Sequence, residues 1–575
     1  MSAISVATTT ITTGRRQLVN VRQQSLLVAK WRALWVMGLF AVIAVCALLR
    51  ILLLGFFEPA PASRGMADML LPDRGEIRDR QGVPLARAFN AYALWFNPNA
   101  LGGGSALVKS PREVANALAR IFPDLDVEDI AARLASGKPG YLRRRILPEE
   151  ANRIHALGEP ALEFPRENQR FYPQGSMAAH ILGFVGADGH GRVGMEQVFD
   201  GQLTDPATRG APAVLSIDSR VQGALEDELG RGIRETNAKG AAGIVLDVDT
   251  GEVMALASLP SFNPNLIDMA STPNIFNRVS NQVYELGSTF KPITVAAAID
   301  AGTVTDLSRR YQSARPIAIG GFQIRDSHSL GASLNVPEAL IHSSNIVTAQ
   351  IADELGSARL NATMRALGMN ERPYIELPAR GFPLWPKGDW SRITTMTVSY
   401  GHGIAVTPLH LASAYAALVN GGIWRPATLR KLDPGQVPQG RRVFKASTSA
   451  RMRQLLRMIV VDGTGKKADA PGFRIGGKTG SAEKPGAGGY RRSSLVATFA
   501  AAFPMDRPRF VVIAMLDEPQ GTAATSFQRT AAWNTAPIVG RVVPRVGPLL
   551  GVMPDDTRDV DITDLSPLVP GNASE

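Results

Sequence analysis

The sequence predicts a mixed α/β chain in three parts: a single N-terminal transmembrane helix, an α+β unit, and a larger unit in which an antiparallel sheet is flanked by helices. Three observations lead there. Residues 33–57 read ALWVMGLFAVIAVCALLRILLLGFF, broken only by Arg50, which as a helix is long enough to cross a hydrocarbon core of about 30 Å. Residues 242–247 and 252–257 are apolar runs around Asp249-Thr250-Gly251, the pattern of a β-hairpin. Three further strand-like runs follow near the C-terminus, and the intervening chain has mostly helical periodicity, an order that fits helices laid on an antiparallel sheet.

A chain of 575 residues exceeds what one hydrophobic core organises, so about two or three folded units are expected. Hydrophobic residues make up 45% and charged residues 20%, with glycine and proline spread along the chain, which favours globular domains over long disorder. The one cysteine, Cys46, lies in the apolar run, so neither an internal disulfide nor a cysteine metal cluster is available. The net charge is +11 with lysine and arginine scattered. No basic aromatic sheet and no zinc-finger spacing accompanies them, which argues against nucleic acid and for anionic membrane or cell-wall surfaces. The seven histidines form no H-E-x-x-H and no i, i+4 pair. No metal or other cofactor is assigned, and His402 and His410 are read as structural.

Taken in order, residues 1–32 carry Arg15, Arg16, Arg22, Lys30 and Arg32 with no acidic residue. The positive-inside rule keeps this tail in the cytoplasm and exports everything after residue 57 of a single-pass chain. A cleaved signal peptide is the competing reading. The long leader, the length of the apolar run and the lack of a clean A-x-A site count against it. Arg50 sits near the outer end, where it can snorkel. Residues 58–225 form the first exported unit: a Pro/Ala/Gly/Ser linker, the charged turn-rich stretch 74–82, a strand at 92–96, and helical patterns at 111–121, 127–135 and 148–157, without catalytic clustering. Residues 226–554 form the second, with the hairpin, strands at 473–479, 494–503 and 510–516, and helices including 408–420, which ends at Gly421-Gly422. Residues 555–575 hold six acidic residues against Arg558 alone and are expected to be a flexible solvated tail.

Three short motifs occur in order in the second unit: Ser288-Thr289-Phe290-Lys291, Ser343-Ser344-Asn345 and Lys478-Thr479-Gly480-Ser481. Each is weak alone. S-x-x-K recurs at Ser481–Lys484, and S-x-N recurs at Ser261–Asn263 and Ser333–Asn335. Taken singly, Ser288 would be a helix cap, Lys291 a solvated lysine and Asn345 a turn residue. Local context separates the ordered set from chance: Gly287-Ser288 opens an apolar helix over 290–301, with Pro292 in its first turn and Gly302 at its end. Ser288 and Lys291 then share a helix face.

This ordered set resembles that of the penicillin-binding proteins and class A β-lactamases. A serine hydroxyl needs a base, and a lysine serves only when its amine is neutral. Lys478 beside Lys291 would favour that form. Ser343 is the natural relay to the leaving amine, and Asn345 offers a donor and an acceptor to a substrate amide. Gly480 is expected to let a substrate strand lie close. The resemblance further implies that the backbone N–H groups of Ser288 and Ser481 form an oxyanion hole, and that Thr479 and Ser481 hold a terminal carboxylate. Ser481 stands where the family more often has threonine.

The resemblance narrows to the monofunctional class B penicillin-binding proteins over residues 72–554. The first unit is similar to their elongated pedestal (dimerisation-type) domain through residues 74–82, Arg170-Phe171-Tyr172-Pro173 and Gly194-Met195-Glu196. The second is similar to their penicillin-binding/β-lactamase-like transpeptidase domain through Tyr284-Glu285-Leu286-Gly287, residues 324–328, Thr407-Pro408-Leu409 and Gly463-Thr464-Gly465. It implies a peptidoglycan D,D-transpeptidase that takes stem peptides ending in D-Ala-D-Ala, releases D-Ala, cross-links through a Ser288 acyl-enzyme, and is covalently inhibited by β-lactams. Asn345, Thr479 and the short basic tail look more like the division-specific septal branch than the elongation branch. For that branch the implied partners are a membrane glycosyltransferase of the shape-elongation-division-sporulation type and other division proteins. Three alternatives stand beside it: an elongation-branch enzyme, a serine hydrolase of carboxypeptidase or β-lactamase type, and a non-catalytic scaffold. No E-x-x-L-N pentapeptide is present for a class A deacylating glutamate.

Overall fold

The computed structural model describes residues 8–12, 15–19, 21–57, 73–100, 107–186, 188–267, 273–486 and 489–569. The chain divides into a unit up to residue 71 and a unit from residue 72 onward. The first holds two antiparallel strands, Thr8–Thr12 and Arg15–Val19, and one helix, Val21–Phe57. Within that helix Val28–Arg50 is long and apolar enough to span a membrane, with a mean hydropathy of 2.3. The helix starts well before residue 33 because residues 21–32 contain neither glycine nor proline and are rich in straight-chain helix formers. The expected linker at 58–65 lies outside the described residues.

In the second unit, the helices Pro111–Ile121 and Val127–Ala135 fall where their sequence patterns place them. Ser110 and Glu113 close a reciprocal capping box around Pro111, and the Asp126 side chain accepts from the backbone of Glu128 and Asp129. A third helix covers Pro148–His155. The expected strand at 92–96 is the end of a longer one, Pro84–Phe96, that pairs with Gly140–Ile146 and Arg166–Phe171. The stretch around residues 74–82 serves a buried ionic network. Arg74 and Arg170 both bond the Glu196 carboxylate, which is fully buried, at 2.8 and 2.6 Å, and Arg74 also reaches Asp200 at 2.7 Å. Burial opposes ionisation of Asp200, but hydrogen bonds from Gly191, Arg74 and His190 outweigh it and hold the carboxyl at about 2.

The larger domain is built on five antiparallel strands in the spatial order Val253–Leu259, Gly240–Asp247, Phe510–Asp517, Gly489–Phe503, Gly476–Gly486. The hairpin appears as expected: Asp247 Oδ1 accepts from the backbone N–H groups of Asp249 and Thr250, so it is a turn residue. Side chains alternate between two cores. Val512, Ala514 and Leu516 face one, with the helices Ser219–Thr236 and Thr535–Val546; Val511, Ile513 and Met515 face the other, with Pro408–Val419.

Three expectations need correction. A boundary at 225 cuts the helix Ser219–Thr236, whose Val221, Leu225 and Leu229 belong to the core of the sheet, so the larger domain begins before that helix. The strand expected at 473–479 runs instead from Gly476 to Gly486, because its pairing with Gly489–Phe503 carries it past the polar residues Ser481 and Glu483. The tail is not free up to residue 569. Asp559 bonds Arg457 at 2.8 Å, Asp564 bonds Arg451, Leu565 is buried and the Leu568 carbonyl accepts from Asn335. Asp559 and Asp564 are thus partners of basic side chains on the helix Ala446–Val461. Residues 570–575 lie outside the described residues.

Candidate active site

Ser288 lies in a 3₁₀ turn, Gly287–Phe290, that runs into the helix Lys291–Asp300. The helix thus begins later than expected, and its first turn is tightened. Gly287 adopts φ +56°, which favours glycine. A side chain there would also meet the Ser481 carbonyl at 3.3 Å. The turn is braced from below, where Tyr415 OH donates to the Thr289 carbonyl at 2.9 Å. It is braced from the side at Gly401, where a Cβ would sit 2.3 Å from the Gly287 carbonyl.

The first motif meets the second and third at one oxygen. Lys291 Nζ donates to Ser343 Oγ at 3.1 Å and to the Ser343 carbonyl, while Lys478 Nζ donates to the same Oγ at 2.9 Å and to the Thr479 carbonyl at 3.0 Å. Both lysines are fully buried. Burial, reinforced by the neighbouring Lys478 ammonium, holds Lys291 well below the ordinary lysine range against an opposing pull from Asp326. Burial brings Lys478 to about 7. Ser343 takes φ +62°, a conformation uncommon outside glycine, and its loop is fixed by Asp326. Asp326 accepts from Ser344 Oγ at 2.7 Å and from the backbone of Asn345 and Ile346 at the start of the helix Asn345–Leu355. The half-buried Asn345 donates through Nδ2 to the Arg325 carbonyl at 2.8 Å.

Gly480 carries a reason within the chain itself. A Cβ there would stand 2.5 Å from the Leu286 carbonyl and 2.7 Å from Thr289 Cγ2, so the glycine lets the serine turn press against the strand Gly476–Gly486. Thr479 Oγ1 lies 2.8 Å from Thr464 Oγ1, and Ser481 Oγ accepts from the Ala531 N–H at 3.0 Å. The decoy motifs fall elsewhere. Ser481 and Lys484 lie on a strand, where Lys484 pairs with Asp517 at 2.7 Å, and Asn335 caps the helix Val336–Ile341.

Asp326, Thr464 and Glu285 carried no assigned role in the sequence reading, although all three stand in stretches that support the resemblance. Glu285, three residues before Ser288, accepts from Tyr490 OH at 3.0 Å and from the Gly403 N–H at 3.1 Å. His402 Nδ1 stands 3.5 Å from it. His410 is structural: it is buried, receives the Thr407 N–H at 3.2 Å and reaches the Glu371 carbonyl at 2.8 Å.

Residues 241–537 match the family described as the penicillin binding protein transpeptidase domain, and residues 70–205 match the penicillin-binding protein dimerisation domain. The probable peptidoglycan D,D-transpeptidase FtsI of Caulobacter vibrioides is 39% identical over 531 residues, covering 91% of this chain and 89% of its own. The peptidoglycan D,D-transpeptidase FtsI of Escherichia coli K12 is 32% identical over 511 residues, 84% of each. Penicillin binding protein 3 from Mycobacterium tuberculosis, solved with aztreonam, shares the fold with a TM-score of 0.66 at 24% identity, over 85% of this chain and 99% of that one. With the three motifs joined at Ser343 Oγ and both domain families matched, the chain belongs to the class B penicillin-binding proteins, serine D,D-transpeptidases that carry a dimerisation domain.

Proposed function

We propose that Ser288 is the residue acylated in peptidoglycan cross-linking, that Lys291 and Ser343 move its proton, and that Lys478 holds Lys291 neutral. The observation that carries this reading is the convergence of two buried lysines on one serine hydroxyl beside the turn that holds Ser288. Neutral Lys291 takes the hydroxyl proton as Oγ attacks the penultimate D-Ala carbonyl. That proton passes through Ser343 to the departing D-Ala amine. The amine of a neighbouring strand then forms the new amide and Ser288 regains its proton.

Backbone N–H groups of Ser288 and Ser481 hold the developing oxyanion; one such donor is worth about 10²–10³ in rate. The approach of the strand at Gly480 to the serine turn supports this. Thr479 and Ser481 receive the terminal carboxylate, near the Lys478 ammonium, and Asn345 holds the stem-peptide amide. The enzyme works at the division septum, as the FtsI relatives and the basic N-terminal tail support. Its N-terminus is cytoplasmic and its catalytic domain periplasmic, and it acts beside a membrane glycosyltransferase of the shape-elongation-division-sporulation type.

The test is covalent labelling of the purified protein by a fluorescent penicillin, with the adduct mapped by mass spectrometry. A single adduct on Ser288, lost in Ser288→Ala, is expected. A label elsewhere refutes the assignment, and a benzylpenicillin adduct that clears within seconds indicates a hydrolase.

A further inference from the structure

The cluster around Glu285 has no part in the proton path just described. Its side chain is only 12% exposed, yet its hydrogen-bond partners are neutral: the Tyr490 hydroxyl, shared at 3.0 Å by both carboxylate oxygens, and the Gly403 N–H. No described lysine or arginine side chain lies within ion-pair distance of it. His402, 3.5 Å away, is driven to about 4 by burial and by Lys291, so its imidazole is uncharged and supplies the carboxylate no counter-charge. Two carboxylates on the neighbouring strand end are, by contrast, paired. Asp517 and Glu518 share Lys484.

Position gives this charge a direction. Lys478 stands near the start of the strand Gly476–Gly486, whereas Tyr490 pairs with Pro485 at its far end. The edge strand therefore has an ammonium towards one end and, through Tyr490, a carboxylate at the other, with the serine turn pressed against it at Gly480. A donor peptide supplies a carboxylate for the first end. The remaining reactant is an amine, cationic at neutral pH.

We propose that Glu285, held by Tyr490 and Gly403, binds the ammonium of the acceptor strand's diamino acid and takes one of its protons, so that the free amine attacks the Ser288 acyl-enzyme. The balance is simple. The ammonium gives one proton to Glu285 and a second, through Ser343, to Ser288 Oγ; the nitrogen–carbon bond forms as the carbon–Oγ bond breaks, leaving an amide and a free serine. Burial, which raises the Glu285 carboxyl above its usual range against the pull of Tyr490 and Gly403, favours that transfer. This inference rests on Ser288 as the acylated residue.

The test uses the full chain in detergent, a soluble thioester donor to form the acyl-enzyme, and Glu285→Gln, which keeps an oxygen for Tyr490 and Gly403. The readout is the ratio of aminolysis to hydrolysis of the same acyl-enzyme, in which any change in acylation rate cancels. With a diamino-acid peptide as acceptor the ratio is expected to fall roughly tenfold or more. With hydroxylamine, uncharged at pH 7, it should keep its parent value within about twofold, since no ammonium has to be recognised. An unchanged ratio with the cationic acceptor, or an equal loss with both acceptors, overturns the proposal. So does a defect confined to acylation by amine-bearing donors, which would assign the cation to the donor. An adduct away from Ser288 in the parent protein is a separate result: it overturns the nucleophile assignment and this proposal with it.

Discussion

Lys291 and Lys478 donate to the same oxygen, Oγ of Ser343, over 3.1 and 2.9 Å. Two buried amines at one acceptor cannot both stay charged at ordinary pH, so acylation depends on which proton has left. Both lysines are depressed, so the free amine accumulates as pH rises through the lowered values. Acylation by penicillin should therefore rise with pH along an acidic limb. Lys478→Gln removes the like charge, raises Lys291 and moves that limb to higher pH, with a rate loss at pH 7 of about tenfold or more. Stopped-flow acylation from pH 5 to 9 checks this, and an unmoved limb would refute the coupling.

The same depression bears on folding. The unfolded chain holds lysine protons up to about pH 10.4, while the native site has released them at lower pH. Unfolded chains thus bind more protons between about pH 7, the value for Lys478, and that limit, so this pair makes stability rise with pH across the window. Replacing both lysines by methionine should flatten the slope of Tm against pH between 7 and 9.

Asp326 acts on Lys291 in the opposite sense from Lys478. Asp326→Asn should shift the acidic limb to lower pH, and should also loosen the Ser343 loop by removing the charge that accepts from Ser344, Asn345 and Ile346. A stability loss of about 1.5–3 kcal/mol is expected for such charge-assisted bonds, read by urea denaturation.

Gly480→Ala forces a methyl against the Leu286 carbonyl and Thr289. Backbone on one side and the Ser288 turn on the other leave little room to yield. We expect about 1–3 kcal/mol of destabilisation and an acylation rate reduced more than Tm alone would suggest, because the strain falls on the Ser288 turn.

In the pedestal, Glu196→Ala leaves the buried Arg74 and Arg170 guanidinium groups facing one another without their shared carboxylate. A loss of about 3–5 kcal/mol follows from breaking a buried ion pair on one side, visible as a lower thermal transition even where penicillin labelling of folded protein is retained.

Much of this was legible from local signals. Ser110 and Pro111 mark a helix start by their own chemistry, and Asp126 does the same for the next helix, so those bounds needed no tertiary information. The three motifs located the lysines and Ser343 because each is contiguous. The strand at 476–486 was read too early and too short because Ser481, Glu483 and Lys484 break its apolar pattern, and only pairing with Gly489–Phe503 makes it a strand. Glu285, His402 and Tyr490 come from three separate segments with no shared period, so their meeting was invisible until the chain was folded. The tail from 555 looked solvated for a related reason: its partners, Arg451 and Arg457, stand on a helix far back in the sequence.

The second strand of the sheet, Gly240–Asp247, sets the order of assembly. It pairs on one side with its hairpin partner and on the other with Phe510–Asp517, so that Ala241 faces Leu516. A ribosome that has delivered the hairpin, Ser288 and Ser343 has still not delivered the strands that close the sheet. During synthesis the serine turn therefore waits, unbraced by Gly480, until nearly the whole chain has emerged. A fragment stopped before residue 517 would carry most of the reactive side chains and still be substrate for proteases rather than a partial enzyme.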